Sequence, residues 1–198
     1  MDQSHLLHAT LSDSAELLAV NSYQDGVRVF DINTKKRLHH FDPQNITCGL
    51  RFSNRDKWLS IGLRQPGSRQ DDSIKTYEIE SGYSVSDPIP TPGLFGFDLA
   101  CNGSKLLART AEGASVWDVS KSKLLSQSKT EARLIDSLSG DGKWALTATT
   151  NGETFVWKCA KPKTRYKIST QVPPSDIKFI TKNEFIVVDG RASLWKIR

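Results

Sequence analysis

The chain has 198 residues, of which 37% are hydrophobic and 25% are charged, and this ordinary globular composition excludes an intrinsically disordered protein. Its 27 Lys and Arg against 22 Asp and Glu give a formal net charge of +5, a mild basic excess well below that of a histone-like protein. No apolar run approaches the roughly 18 residues that a membrane-spanning helix needs.

The N-terminal segment MDQSHLLHATLSDS lacks the basic-then-apolar layout of a secretory signal. We therefore expect a cytoplasmic protein without a transmembrane segment. The alternative is an exported or periplasmic protein whose signal has been removed and in which Met1 is not the native start.

The first 41 residues predict four short β-strands. Apolar or alternating runs lie at 8–11, 17–21, 27–32 and 38–41, and polar segments such as SDSAE and SYQDG separate them. No segment of the chain has the pattern of a long amphipathic helix, so we expect an all-β fold.

Two features of this first unit recur along the chain. The first is a polar turn that precedes an apolar strand, and the last polar residues of these turns are Glu16, Lys57, Lys105, Lys143 and Glu184. The second is an aromatic residue near the end of a later strand, in VRVFDI, IKTYEI, ASVWDV, TFVWKC and ASLWKI. Two columns in one register predict five repeats of about 40 residues. The aromatic residues are Phe30, Tyr77, Trp117, Trp157 and Trp195.

With DGVRVFD at 25–31, EGASVWD at 112–118 and SGDGK at 139–143, the chain resembles the WD-repeat (tryptophan-aspartate repeat) β-propeller family over essentially its whole length. The resemblance implies one propeller domain of about five four-stranded blades, the last without its outer strand. The Gly-His dipeptide of the family is absent, so we do not expect its buried Asp-His-Ser/Thr-Trp network. Asp25 and Asp72 would then act as structural turn acids. The blades are expected at about 6–43, 44–90, 91–130, 131–172 and 173–198.

Three arrangements of these repeats stay open at this point: a closed five-bladed ring, an open arc, and a partial propeller that a partner or a second copy completes. An unpaired edge at SLWKIR would recruit another strand. A homo- or hetero-oligomer through this C-terminal edge strand follows from the third arrangement.

Proline- and glycine-rich connections predict a partner-binding face, because long connections on a rigid scaffold are where binding usually resides. These connections are 42–45, the insertion RQPGSRQDDS at 64–73, 87–95 and 172–176. We expect Arg64, Arg69, Pro92 and Phe95 to contact the partner. The alternative is that the insertion is a mobile surface loop.

A basic patch is predicted on the opposite face, where turns at equivalent repeat positions carry Lys and Arg. Nucleic acid or anionic lipid would use such a patch, but no aromatic residues are interleaved with it, and lysines in turns are commonly just solvated. We therefore do not expect either partner. The residues are Lys35, Lys36, Arg37, Lys121, Lys123, Lys161, Lys163 and Arg165.

Catalytic and metal-binding patterns are scarce. The four histidines all lie in the first repeat without metal-ligand spacing, the pair Asp71-Asp72 has no third ligand, and the three cysteines match no zinc or disulfide framework. The regularly placed tryptophans are expected to pack between blades. We expect no catalytic residue, metal or cofactor.

The sequence therefore favours a non-catalytic scaffold that binds another protein or peptide through propeller loops. The alternative is an incomplete propeller that serves as a subunit of a larger complex, such as a bacterial envelope or secretion assembly, and is completed by a partner strand or a second copy.

Overall fold

Antiparallel β-strands joined by turns make up the fold. The computed structural model describes residues 6–22, 25–41, 46–129, 132–149, 152–170 and 172–197, and no helix occurs among them. The chain divides into two compact units, Met1–Leu94 and Phe95–Arg198.

The first unit contains two four-stranded sheets in which each strand pairs with its neighbour in the chain. The first sheet consists of β1 (Leu6–Leu11), β2 (Leu17–Ser22), β3 (Gly26–Asp31) and β4 (Arg37–Phe41). The second sheet consists of β5 (Ile46–Ser53), β6 (Trp58–Gln65), β7 (Ser68–Glu78) and β8 (Ile89–Pro90).

The second unit contains three sheets with the same sequential strand order. The third sheet consists of β9 (Gly96–Leu99), β10 (Lys105–Thr110), β11 (Gly113–Asp118) and β12 (Lys123–Ser128). The fourth consists of β13 (Ala132–Leu138), β14 (Trp144–Thr149), β15 (Thr154–Lys158) and β16 (Lys161–Ile168). The fifth consists of β17 (Asp176–Phe179), β18 (Glu184–Val188) and β19 (Ala192–Lys196).

The expected all-β class and the four-stranded antiparallel sheets are confirmed. In the described part of the chain, four sheets have four strands each and the fifth has three. No helix of the described residues is long and apolar enough to cross a membrane.

The prediction of a loop at 64–73 is wrong, because this segment is a β-hairpin. Strand β6 continues to Gln65, which pairs with Ser68, and only Pro66 and Gly67 form the turn. Gly67 has φ +82°, a left-handed conformation that glycine adopts without a steric penalty. The hairpin places Asp72 inside strand β7, and not in a turn as expected.

The aromatic column occupies the same position in every sheet. Each aromatic side chain lies directly opposite a residue of the preceding strand, in the pairs Phe30 with Leu18, Tyr77 with Leu59, Trp117 with Leu106, Trp157 with Ala145 and Trp195 with Phe185. Since side chains alternate between the two faces of a strand, these pairs mark one face of each sheet. We call this face the front face and the other the back face.

Within each unit, the front face of one sheet packs on the back face of the sheet before it in the chain. Tyr77 of the second sheet stacks on Phe41 of the first, with ring centroids 4.2 Å apart. Trp157 of the fourth sheet joins Leu107 and Val116 of the third in one cluster. Burying such side chains stabilises the fold by about 2 kcal/mol each.

The tryptophans are less uniformly buried than expected. Trp157 is 1% exposed, whereas Trp195 is 38% exposed. Trp58, Trp117 and Trp144 are half-buried. A core role is therefore clear for Trp157, and Trp195 keeps part of its indole accessible.

Candidate binding surfaces

The carboxylate of Asp72 organises the end of the first unit. Asp72 is 1% exposed. Its Oδ1 accepts a hydrogen bond from the backbone amide of Gln65 at 3.2 Å, and its Oδ2 accepts one from the backbone amide of Leu94 at 3.1 Å. The guanidinium of Arg69 lies 3.6 Å from the same Oδ2. This buried carboxylate therefore ties the β6–β7 hairpin to the segment that ends at Leu94.

Arg64 and Arg69, two of the predicted partner contacts, meet at the carbonyl oxygen of Leu94. Arg64 donates to it from Nε and Nη2 at 3.0 and 2.6 Å, and Arg69 donates from Nη2 at 2.9 Å. These intramolecular hydrogen bonds occupy N–H groups that the two arginines would otherwise offer to a partner protein. Pro92 and Phe95, the other two, are both exposed, Phe95 by 39%.

The predicted partner-binding face also includes the connections at 42–45 and 172–176. Residues 42–45 lie outside the described residues. Residues 172–176 lead into β17, and Val172 is 50% exposed.

Asp25 lies in the turn before β3, where it pairs with Arg28 at 3.1 Å and accepts a hydrogen bond from the hydroxyl of Ser22 at 3.2 Å. Asp25 thus lies in a turn, and its role there as a structural acid stays a prediction.

The predicted basic patch is distributed over both units. In the first unit, Lys35 and Lys36 lie between β3 and β4, and Arg37 is the first residue of β4. In the second unit, Lys121 lies in the turn before β12, and Lys123 is the first residue of β12. The remaining three residues are part of strand β16 and not of a turn; they are Lys161, Lys163 and Arg165.

A groove of about 400 Å³ lies between β12 and β16 in the second unit. Lys163 and Arg165 of the predicted patch line it together with Lys129, which we did not select from the sequence. The rest of the lining is Gln127, Ser128 and Pro162. We call this site the basic groove.

The front face of the first sheet carries a row of apolar side chains that ends at Arg37, opposite Phe30. Leu11, Leu18 and Phe30 lie directly opposite one another across β1, β2 and β3. Leu11 is 56% exposed, while Leu18 and Phe30 are half-buried. Leu38 of β4, next to the inward-facing His39, is 42% exposed. A sheet face with this composition is normally covered by another layer.

Strand β19 is the second uncovered element. It pairs with β18 and with no other strand in the described part of the chain. Leu194 is 67% exposed, and Trp195 lies parallel to Phe185 with ring centroids 6.5 Å apart. An edge strand of this kind offers unpaired backbone groups to another strand.

The histidines and cysteines form no reactive cluster. His39 hydrogen bonds from Nε2 to the carbonyl of Ile79, and His40 does so to the carbonyl of Asp25 at 2.6 Å. The three cysteines are free thiols, and burial raises the pKa of Cys159 to about 12. Among the described residues, no group of three His, Cys, Asp or Glu side chains could hold a metal ion.

No known protein-family model matches the chain, and a search of curated proteins finds no relative.

Sequence reasoning missed both the basic groove and the apolar front face. The groove forms where Lys129 of the third sheet lies close to β16 of the fourth sheet, and no local sequence pattern predicts a contact between two sheets. The front face had a signal, because β2 carries apolar residues at consecutive positions, Leu17 to Val20, as strands covered on both faces do.

Proposed function

We propose that this chain is a non-catalytic protein-interaction module, built as a WD-repeat-like β-propeller, and that a sheet of a second chain packs on the front face of the first sheet. One observation carries the proposal: the row of Leu11, Leu18 and Phe30 is apolar, and its outer member is 56% exposed.

The packing inside each unit supports this assignment. Aromatic residues on the front faces of the second and fourth sheets pack against the preceding sheet: the half-buried Tyr77 stacks on Phe41, and Trp157 is buried in the cluster that it shares with the third sheet. The equivalent residue of the first sheet is Phe30, which is half-buried and has no preceding sheet to pack on in the described part of the chain. A partner sheet on this face would repeat the contact that the chain already makes internally, at the usual spacing of about 10 Å between packed sheets.

The experiment compares the solution mass of the purified chain, by light scattering over a range of concentrations, with that of the double variant L11K/L38K. We expect the wild-type chain to self-associate through the uncovered face and the variant to remain a monomer of 22.1 kDa. The matched control is V172K/I180K, since these side chains are exposed by 50 and 52% and lie elsewhere. A wild-type chain that stays monomeric and binds an apolar dye no better than L11K/L38K would contradict the proposal.

A second candidate is completion of the fifth sheet by a partner strand at β19, which the 67% exposure of Leu194 and the three-stranded sheet favour. A lysine on an edge strand blocks such pairing. The variant L194K therefore distinguishes the two: if it abolishes self-association and L11K/L38K does not, the contact is made at β19.

A further inference from the structure

Three basic side chains converge in the basic groove, and no carboxylate of a described residue lines it. They are Lys129, Lys163 and Arg165. None of the three forms an ion pair with a described residue. The contrast is Lys167, two residues beyond Arg165 on β16, which pairs with Glu153 at 2.7 Å. Three neighbouring cations in one depression form a site of positive potential.

Both strands beside the groove contain an irregularity in their pairing. On β16, Arg165 lies opposite Trp157 whereas Lys161 lies opposite Lys158, so that residues 162–164 bulge out of the ladder. Pro162 has no amide hydrogen for the ladder, which favours a bulge at this point. On β12, the pairing shifts between Ser126 and Leu124 in the same way.

Arg165 is held in place on the groove wall. Its guanidinium lies over the ring of Phe155, 4.9 Å from the centroid, and Phe155 is itself 8% exposed. A cation packed on an aromatic face keeps its outward N–H donors available. The side chain is therefore oriented before any ligand arrives.

The second unit also carries the excess charge of the chain. Residues 95–198 contain 17 Lys and Arg against 10 Asp and Glu, whereas residues 1–94 contain 10 against 12. Acidic ligands are therefore attracted to the unit that contains the groove, and this attraction raises the rate of encounter.

We propose that the basic groove binds a short acidic segment of a partner protein in an extended conformation. β12 and β16 are the last strands of their sheets, so each has an edge from which backbone groups can bond an extended chain. The six residues of β12 match a segment of about 20 Å. Alternate carboxylates of an extended segment point to one side and would meet the three cations.

The lining favours a peptide over nucleic acid. Single-stranded nucleic acid is held by rings on which bases stack, and the described lining contains no aromatic residue. Tyr166 lies on the other side of β16, where its ring centroid is 6.3 Å from that of Trp144. Strand β12, which contributes to the groove, also carries the exposed apolar side chains Leu124 and Leu125, which suit a peptide.

The test measures the fluorescence anisotropy of a labelled octapeptide of alternating Glu and Thr in the presence of the full chain. We expect saturable binding that weakens as salt rises to about 0.5 M, where exposed charges are screened. The same peptide with Gln in place of Glu should not bind. The variant K163E/R165E should weaken binding by at least about tenfold.

The control K178E/K182E changes the net charge equally at two exposed lysines outside the groove and should alter the affinity less than about twofold. Because Arg165 also packs on Phe155, the variant K129E/K163E keeps that contact and separates loss of charge from loss of folding. Equal weakening by the control, or tighter binding of a single-stranded DNA octamer than of the peptide, would overturn the proposal.

This site is independent of the proposed function of the front face, and the two can fail separately. Peptide binding is therefore repeated in the L11K/L38K variant, where we expect it to be unchanged.

Discussion

Asp72 and Leu94 are joined by a hydrogen bond from the backbone amide of Leu94 to the buried carboxylate, 3.1 Å long and spanning 22 residues of chain. The carbonyl of the same Leu94 accepts from Arg64 and Arg69. Both the backbone amide and the backbone carbonyl of Leu94 are therefore hydrogen-bonded to side chains of the β6–β7 hairpin.

Loss of this carboxylate should destabilise the first unit. Asp72→Ala leaves two buried backbone donors and a nearby arginine without their acceptor, so the free energy of unfolding should fall by about 3 kcal/mol. Asp72→Asn keeps an oxygen acceptor and should cost less. Urea denaturation measures both, with the exposed neighbour Asp71→Asn as the control. Equal stability of all three variants would refute the role of Asp72.

Acid should weaken the link between the first two sheets. Burial alone would raise the pKa of Asp56, but hydrogen bonds from the backbone amides of Ser14 and Asp13 outweigh it and lower the pKa. A lowered pKa stabilises the fold above the unfolded value of about 3.9, and this contribution is lost as the pH falls through the folded value.

The stability difference between the wild type and Asp56→Asn should therefore be largest near neutral pH and should shrink towards pH 3, as followed by urea denaturation. Asp176→Asn, at an exposed position of β17, is the control and should show no such trend. A difference that is constant over this range would mean that the hydrogen bonds do not depend on the charge of Asp56.

A methyl group at Gly82 should be costlier than one at Gly67. Both glycines have positive φ, +73° and +82°, so alanine strains the backbone at either position by about 1 kcal/mol. At Gly82 the added carbon would also lie 2.9 Å from Nδ1 of His39, whereas at Gly67 nothing lies within 4 Å. We expect Gly82→Ala to lower the free energy of unfolding by about 1 kcal/mol more than Gly67→Ala does. Equal melting temperatures would contradict this reading.

Thiol reactivity should distinguish Cys101 from Cys159. Cys101 is exposed, whereas Cys159 is 2% exposed and its pKa is raised to about 12 by burial, so almost no thiolate is present near neutral pH. A maleimide should modify Cys101 in the folded chain and Cys159 only after denaturation, as peptide mass spectrometry would report. Rapid labelling of Cys159 without unfolding would show that its burial is transient.

The strand pattern was predictable because it depends on local composition. The aromatic column was read from spacing alone, and its members occupy equivalent ladder positions, as Phe30 and Trp157 do. The hairpin around Gly67 was missed, since residues Arg69 to Ser73 are all polar and resemble a loop in composition.

The binding surfaces were harder to predict, because each depends on distance in space. Lys129 and Lys163 are separated by most of a repeat and line the same groove because the third and fourth sheets pack together. Arg64 and Arg69 had the composition of partner contacts, yet their nearest acceptor is the backbone of Leu94. Sequence spacing reports neither relationship.

Every strand in the described sheets pairs only with the strand before or after it in the chain, and this sequential order has a consequence for the history of the protein. A whole sheet of about 40 residues could be duplicated or deleted without breaking a single ladder in the sheets that remain. Only the faces at the two junctions would have to find new neighbours. A duplication of this kind would change the length of the chain in steps of one sheet.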